Sequence, residues 1–198
     1  MKTNLNLTNL LPRTVERIEK YSKIAYNGLG ANLDEWQKNP NCKDTIRGVT
    51  RIYYDLVHAL SIPSGYITVK ALETKRNDPK WPVCKDHCYS PQFIGRMIMD
   101  NPEIYLGDYD IFRETFYTSC KTIEITSEEN RNLSNLTSNN KGNFKVYIPT
   151  DKKYKHLNIK LVERNTGRYW YNQDVNYVDN YIITPNELLE YEKKFLVN

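Results

Sequence analysis

Between Thr122 and Leu133 the chain changes its period abruptly. Thr122-Ile123-Glu124-Ile125-Thr126 alternates apolar and polar residues, the pattern of a strand with one buried face. Ser127-Glu128-Glu129-Asn130-Arg131-Asn132-Leu133 follows, and Thr126 with Glu129 three residues later reads as a capping box. A helix therefore starts at that point and carries Asn130 in its first turns. Upstream, Lys80-Trp81-Pro82-Val83-Cys84-Lys85-Asp86-His87 is a short extended run that ends in an acid–histidine pair. Two strands and a capped helix thus make the stretch from Lys80 to Gly142 the part around which the rest is organised.

Length and composition bound the remainder. A chain of 198 residues suits one compact domain, or a small core with appended segments. At 39% hydrophobic residues it can bury a core, and a mean hydropathy of −0.70 gives it a wet surface. Lys and Arg number 28 against 24 Asp and Glu, so the net charge is only +4 and charge placement must carry any argument for nucleic acid. No apolar run approaches membrane-spanning length, and Met1-Lys2-Thr3-Asn4 does not open a signal peptide. The expectation is a soluble, cytoplasmic protein with no membrane partner. Its richness in Asn and Tyr suits AT-rich coding, which is common in phages.

Along the chain, Val15, Ile18, Ser22 and Ala25 recur at helical spacing between Arg13 and Tyr26, with Gly28 and Gly30 expected to end the element. Residues 43–61 predict a stronger helix, with Ile46, Val49, Tyr53, Leu56 and Leu60 in one stripe and Lys43, Arg47 and Arg51 along another face. Pro63-Ser64-Gly65 reads as a turn, and Tyr66 to Glu73 as a strand. Ser90-Pro91 opens a helix whose apolar face is Phe93, Ile94, Met97 and Ile98; residues 108–117 suggest another. Asn139 to Asn143 reads as a loop, and Phe144 to Ile148 and Leu157 to Glu163 as strands. Asn165-Thr166-Gly167 should turn the second of these into a hairpin with Arg168-Tyr169-Trp170-Tyr171. Thr184-Pro185-Asn186-Glu187 caps a final helix bearing Leu188, Leu189 and Phe195.

A strand ending in Asp-His, then apolar-Thr-X-Glu-Glu-Asn-X-X-Leu, resembles the HNH or His-Me finger nucleases. The match is to the Asp-His…Asn branch of phage homing and junction-resolving enzymes. The resemblance covers about a third of the chain and implies a ββα-metal finger. It implies that His87 is the general base and that Asp86 and Asn130 hold one Mg²⁺ or Mn²⁺, hard ions that favour oxygen ligands. Two features depart from the family. Ser119-Cys120-Lys121-Thr122 occupies the place of its middle Asn, leaving Ser119, Thr122 or the backbone to brace the loop after His87. The two helices between His87 and Asn130 make an insertion.

Cys42, Cys84, Cys88 and Cys120 include no Cys-X2-Cys knuckle, so free thiols are the expectation, with a structural Zn²⁺ site as the alternative. From Lys141 to Lys160 the chain carries Lys141, Lys145, Lys152, Lys153, Lys155, Lys160 and His156 against Asp151 alone. Such a band suits contact with the phosphates of double-stranded DNA, as does Arg131 beside Asn130; a solvated strand edge is the competing reading. Lys43, Arg47 and Arg51 form a second band.

The whole is expected to be an α+β protein. A helical region with one strand (1–79) would precede a ββα-metal core with a helical insertion (80–143). A strand, hairpin and helix region (144–198) would follow, all in one compact unit. The function implied is a metal-dependent DNA endonuclease, phage or mobile-element in character. A restriction, nicking or junction-resolving enzyme of the same chemistry is one alternative, and a non-catalytic DNA-binding accessory protein is another.

Overall fold

The computed structural model describes residues 10–137, 152–165, 169–178 and 186–195. In chain order these form α1 (Pro12–Gly30), α2 (Leu33–Lys38), α3 (Lys43–Leu60), β1 (Ile62–Thr68), α4 (Val69–Asn77) and β2 (Cys84–His87). They continue with α5 (Pro91–Asp100), α6 (Pro102–Tyr105), α7 (Tyr109–Ser119), β3 (Lys121–Ile125) and α8 (Ser127–Thr137). The last elements are α9 (Lys153–His156), β4 (Leu161–Glu163), β5 (Tyr177–Val178) and α10 (Asn186–Glu192), with 3-10 turns at Trp170–Asn172 and Lys193–Phe195. The protein is a mixture of α-helix and β-sheet, and no helix among the described residues is long and apolar enough to cross a membrane.

The chain divides into two compact units, each assembled from two segments. One comprises residues 1–61 and 91–120, the other residues 62–90 and 121–198. This interleaving differs from the three consecutive regions expected from the sequence.

The first unit is helical. α1 packs on α3 and α7, and α3 packs on α5. Tyr53, fully buried, stands edge-on to Phe112 and Phe116 at ring distances of 6.1 and 5.6 Å, and its hydroxyl meets Ser119 Oγ at 2.6 Å. That bond satisfies two polar groups that burial would otherwise penalise. Of the two glycines expected to end α1, Gly30 is its last residue, and the helix runs through Gly28. A Cβ there would sit 2.9 Å from Ile52, so glycine serves the close approach of α1 to α3 rather than a stop.

Among the described residues the second unit holds a five-stranded sheet of order β2-β3-β1-β4-β5. β1 and β3 are parallel; every other neighbouring pair is antiparallel. Ile67, Ala71, Leu72 and Val162 form an apolar cluster, with Val83, Trp170 and Tyr171 packed against it.

Several sequence expectations are corrected in this unit. Pro63-Ser64-Gly65 does not turn; it lies inside β1, where the register with β3 slips between Pro63 and Ile67. Proline without an amide and Gly65 at φ 91° are residues that a strand tolerates at an irregularity. The strand expected from Tyr66 to Glu73 stops at Thr68. Thr68 Oγ1 accepts the Ala71 amide at 3.1 Å and so caps α4. The alternation of Ile67, Val69 and Ala71 was real, but the cap overrode it. The strand expected from Leu157 starts only at Leu161, because α9 precedes it and Asn158 takes the left-handed conformation at φ 53°. β4 does form a hairpin, but its partner is Tyr177–Val178, while Trp170–Asn172 is a 3-10 turn. The expected loop from Asn139 and strand from Phe144 to Ile148 lie outside the described residues.

Candidate active site

Among the described strands β2 forms one edge of the sheet, with Cys84 opposite Ile125, Asp86 opposite Ile123 and His87 opposite Thr122 on β3. One residue beyond β3, Thr126 caps α8. The Glu129 amide donates to Thr126 Oγ1 at 3.2 Å, while Glu129 Oε2 accepts the Thr126 amide and hydroxyl, each at 2.9 Å. Thr68 Oγ1 donates to the same carboxylate oxygen at 2.8 Å, which fastens the first turn of α8 to the end of β1. Glu129 is thus a buried carboxylate with its charge spread over three donors.

Glu129 and Leu133 are buried on α8, and Asn130 beside them is half-buried, so Asn130 belongs to the packed side of the helix. Ser134, one turn on, spends its hydroxyl on the Asn130 carbonyl at 2.9 Å. Arg131 is exposed.

Alternation along β2 sends Cys84 and Asp86 to one face of the sheet and Lys85 and His87 to the other. The contacts agree for the first pair: Cys84 Sγ lies 3.3 Å from Ser127 Oγ at the start of α8, and Asp86 meets α9. Lys153 Nζ donates to Asp86 Oδ2 at 2.8 Å and to the His87 carbonyl at 2.9 Å. The Tyr154 hydroxyl donates to the same Asp86 oxygen. The side chains of this pair are 5% and 16% exposed, so Lys153 and Asp86 form an ion pair largely withdrawn from water. His87 keeps 7% of its surface.

Ser119 bonds within the first unit, to Tyr53 and Thr115, and Thr122 Oγ1 donates to the Ile62 carbonyl at 3.2 Å. The backbone at the end of β2 is held by the Cys88 amide on the Lys121 carbonyl at 2.9 Å, together with Lys153 on the His87 carbonyl.

No family model, no curated protein and no solved structure matches the chain.

The basic band needs a correction. Lys152, Lys155 and Lys160 are exposed, but Lys153 is buried against Asp86 and is no surface cation. Helical geometry in α9 explains the difference, because consecutive residues point in different directions and only Lys153 and Tyr154 turn inward. Lys141 and Lys145 lie outside the described residues. In the first unit Lys43, Arg47 and Arg51 are exposed, with Arg51 paired to Asp55 at 2.8 Å. Sequence reasoning missed Lys153 and Tyr154 as partners of Asp86. The single available signal was an aromatic residue set among lysines.

Among the described residues no three or more His, Cys, Asp or Glu side chains gather as metal ligands. Burial pushes the Cys88 thiol up to about 11 and raises Cys120 further, while hydrogen bonds from Thr45 lower the exposed Cys42 thiol. Thiolate is the reactive form, so iodoacetamide at pH 8 should label Cys42 well before Cys88 or Cys120. Peptide mass mapping over time checks this; equal labelling of all four would show that the buried thiols open readily.

A cleft of about 520 Å³ also opens in the second unit, between Val69, Lys70 and Glu73 of α4, the start of α8, and residues 157–160. Lys70 bridges to Glu128 across it, and none of Asp86, His87 or Asn130 lines it.

Proposed function

We propose that the β2-β3-α8 segment is the catalytic part of a DNA endonuclease of the HNH kind, phage-type in character, with His87 as general base. The observation that carries this reading is the order and pairing of the parts. A strand ending in Asp86-His87 lies antiparallel to a strand that runs, through a capping box, into a helix with Asn130 on its packed side. In this reading His87 takes the proton from a water that attacks phosphorus, and the bond to the 3′ oxygen breaks. The exposed Arg131 offers its charge to a neighbouring phosphate.

The metal that the resemblance implies meets an obstacle. Asp86 and Asn130 supply oxygens of the sort Mg²⁺ or Mn²⁺ prefers. Yet Asp86 Oδ2 already serves Lys153 and Tyr154, and the lysine charge cancels that of the carboxylate. With neutral Asn130, that leaves the donor set without net negative charge. In this arrangement the residues do not make a divalent-cation site. The same observation favours a second reading, in which Asp86 is a structural anchor within a non-catalytic DNA-binding protein.

Incubation of supercoiled plasmid with the full chain, in Mg²⁺, in Mn²⁺ and in chelator, separates the two readings. Nicking or linearisation supports the endonuclease; intact plasmid under all three conditions rejects it in favour of the binding protein. Either reading uses the exposed lysines. Replacement of Lys152, Lys155 and Lys160 by Ala should make the salt dependence of DNA binding shallower by about two to three units of log Kd against log salt. An unchanged slope would show that these residues are only a solvated edge.

A further inference from the structure

We infer that the outer face of α3 is a second DNA-contacting surface, carried by the helical unit, which enters the major groove of a duplex with Lys43 and Arg47 against the phosphates. The inference goes beyond the exposed lysines of the sheet unit. It rests on the reading, common to both alternatives above, that the chain binds double-stranded DNA.

α3 has 18 residues and is about 27 Å long. One side is spent on the core, through Ile46, Val49, Tyr53, Val57 and Leu60. Along another, Lys43, Arg47 and Arg51 follow at four-residue spacing and are exposed, and Tyr54 and His58 continue the row. The Arg51 guanidinium lies 5.6 Å from the centre of the Tyr54 ring, and the Tyr54 and His58 rings are 4.1 Å apart. A row of cations thus ends in stacked planar groups. Two acids share the exposed side. Asp55 pairs with Arg51 at 2.8 Å, and Asp44 sits in the first turn, where the helix dipole favours an acid. Lys43 and Arg47 are therefore the cations that a phosphate would meet.

Gly48 is an independent observation. Glycine inside a helix destabilises it. In the same unit a Cβ at Gly28 would meet Ile52 at 2.9 Å and one at Gly95 would meet Tyr53 at 3.3 Å, so close packing accounts for both. A Cβ at Gly48 would meet nothing within 4 Å, and the residue is exposed. Among the described residues no packing calls for this glycine. It stands beside Asp44 and Arg51 on the helix surface and leaves that surface low. A helix about 10–12 Å across fits a major groove about 12 Å wide only with its flank close to the groove wall, and a bare flank allows that approach.

Fluorescence anisotropy with a labelled duplex of random sequence is the measurement. Lys43→Glu with Arg47→Glu should weaken binding at least about tenfold and make the slope of log Kd against log salt shallower by about two. Arg13→Glu with Lys20→Glu makes the same change of charge at exposed positions of α1, and in physiological salt it should leave affinity near the wild-type value. Gly48→Gln should raise the melting temperature, because a better helix former replaces glycine, and yet weaken binding. In the unmutated chain, the duplex should protect Lys43 from an amine-reactive acetylating reagent and leave Lys20 labelled as before. Equal losses from the two glutamate pairs, wild-type binding by Gly48→Gln, or Lys43 labelling unmoved by DNA overturns the inference. So does protection of Lys43 by polyglutamate as strong as that by the duplex, which would assign the face to an acidic protein. If α3 fails these tests while the Lys152, Lys155 and Lys160 variant loses its salt slope, the DNA-binding reading stands without α3. A wild-type chain that binds no duplex refutes both.

Discussion

His87→Ala should lower the cleavage rate of plasmid DNA at least about a hundredfold while leaving DNA affinity near that of the wild type. The expectation comes from what the residue can do and where it sits. It ends β2 opposite Thr122, its carbonyl is held by Lys153, and the next amide is held by Lys121, so the backbone that carries the imidazole is fixed on both sides. A proton acceptor held in place in this way contributes through the transition state, so the loss should fall on turnover and not on binding. Because the side chain is buried, a truncation leaves a space, and His87→Gln, closer in volume, belongs beside it. His87→Gln should melt near the wild-type temperature, His87→Ala somewhat below it, and both should be inactive. A His87→Ala protein that cuts at the wild-type rate would end the assignment.

The largest expected effect on stability is at Asp86 and Lys153. Removing one partner of a buried ion pair leaves the other charged and unsatisfied, at a cost of about 3–5 kcal/mol. Asp86→Ala should approach that cost, because it leaves the Lys153 ammonium with the neutral His87 carbonyl and the face of the Tyr154 ring and no counter-charge. Lys153→Met should cost less, since the Tyr154 hydroxyl still serves Asp86. The double variant Asp86→Asn/Lys153→Met removes both charges and should recover most of the loss. A double-mutant cycle by urea unfolding measures the coupling. Because the chain divides into two compact units, the transition is best followed through Trp81 and Trp170, which lie in the second unit, with Trp36 of the first replaced by Phe. Additive single effects would show that the pair is not an energetic unit.

What was legible in the sequence was local. Thr126 and Glu129 are three residues apart, and the capping bonds run between them, so the start of α8 could be read from spacing alone. The long stripe of α3 was legible for the same reason: Ile46, Val49, Tyr53 and Leu60 are buried, although Leu56 gives way to Val57. What was illegible depends on residues far apart in the chain. Nothing within α9 distinguishes Lys153 from Lys152 or Lys155, because its burial is decided by a carboxylate 67 positions earlier. Thr68 was misjudged by a competition between two local signals, strand alternation and a cap, which the bond from Thr68 to Glu129 helps to decide. The division into interleaved units was hidden too, since β1 and β3 are adjacent in the sheet but separated in sequence by the whole of α4 to α7.

The strand order has a consequence for a chain still being made. β1 and β2 are completed early, yet they are not bonded to each other; β3 lies between them and is the partner of both. Until Lys121–Ile125 leaves the ribosome, both earlier strands present bare amides and carbonyls. At about 5–20 residues per second that wait lasts a few seconds, while the helices Pro91–Asp100, Pro102–Tyr105 and Tyr109–Ser119 are synthesised and the first unit can close. A polypeptide released at Cys120 would thus carry every segment of the helical unit and two strands with nothing to join them. Such a fragment is an expected target for chaperones and for edge-to-edge aggregation.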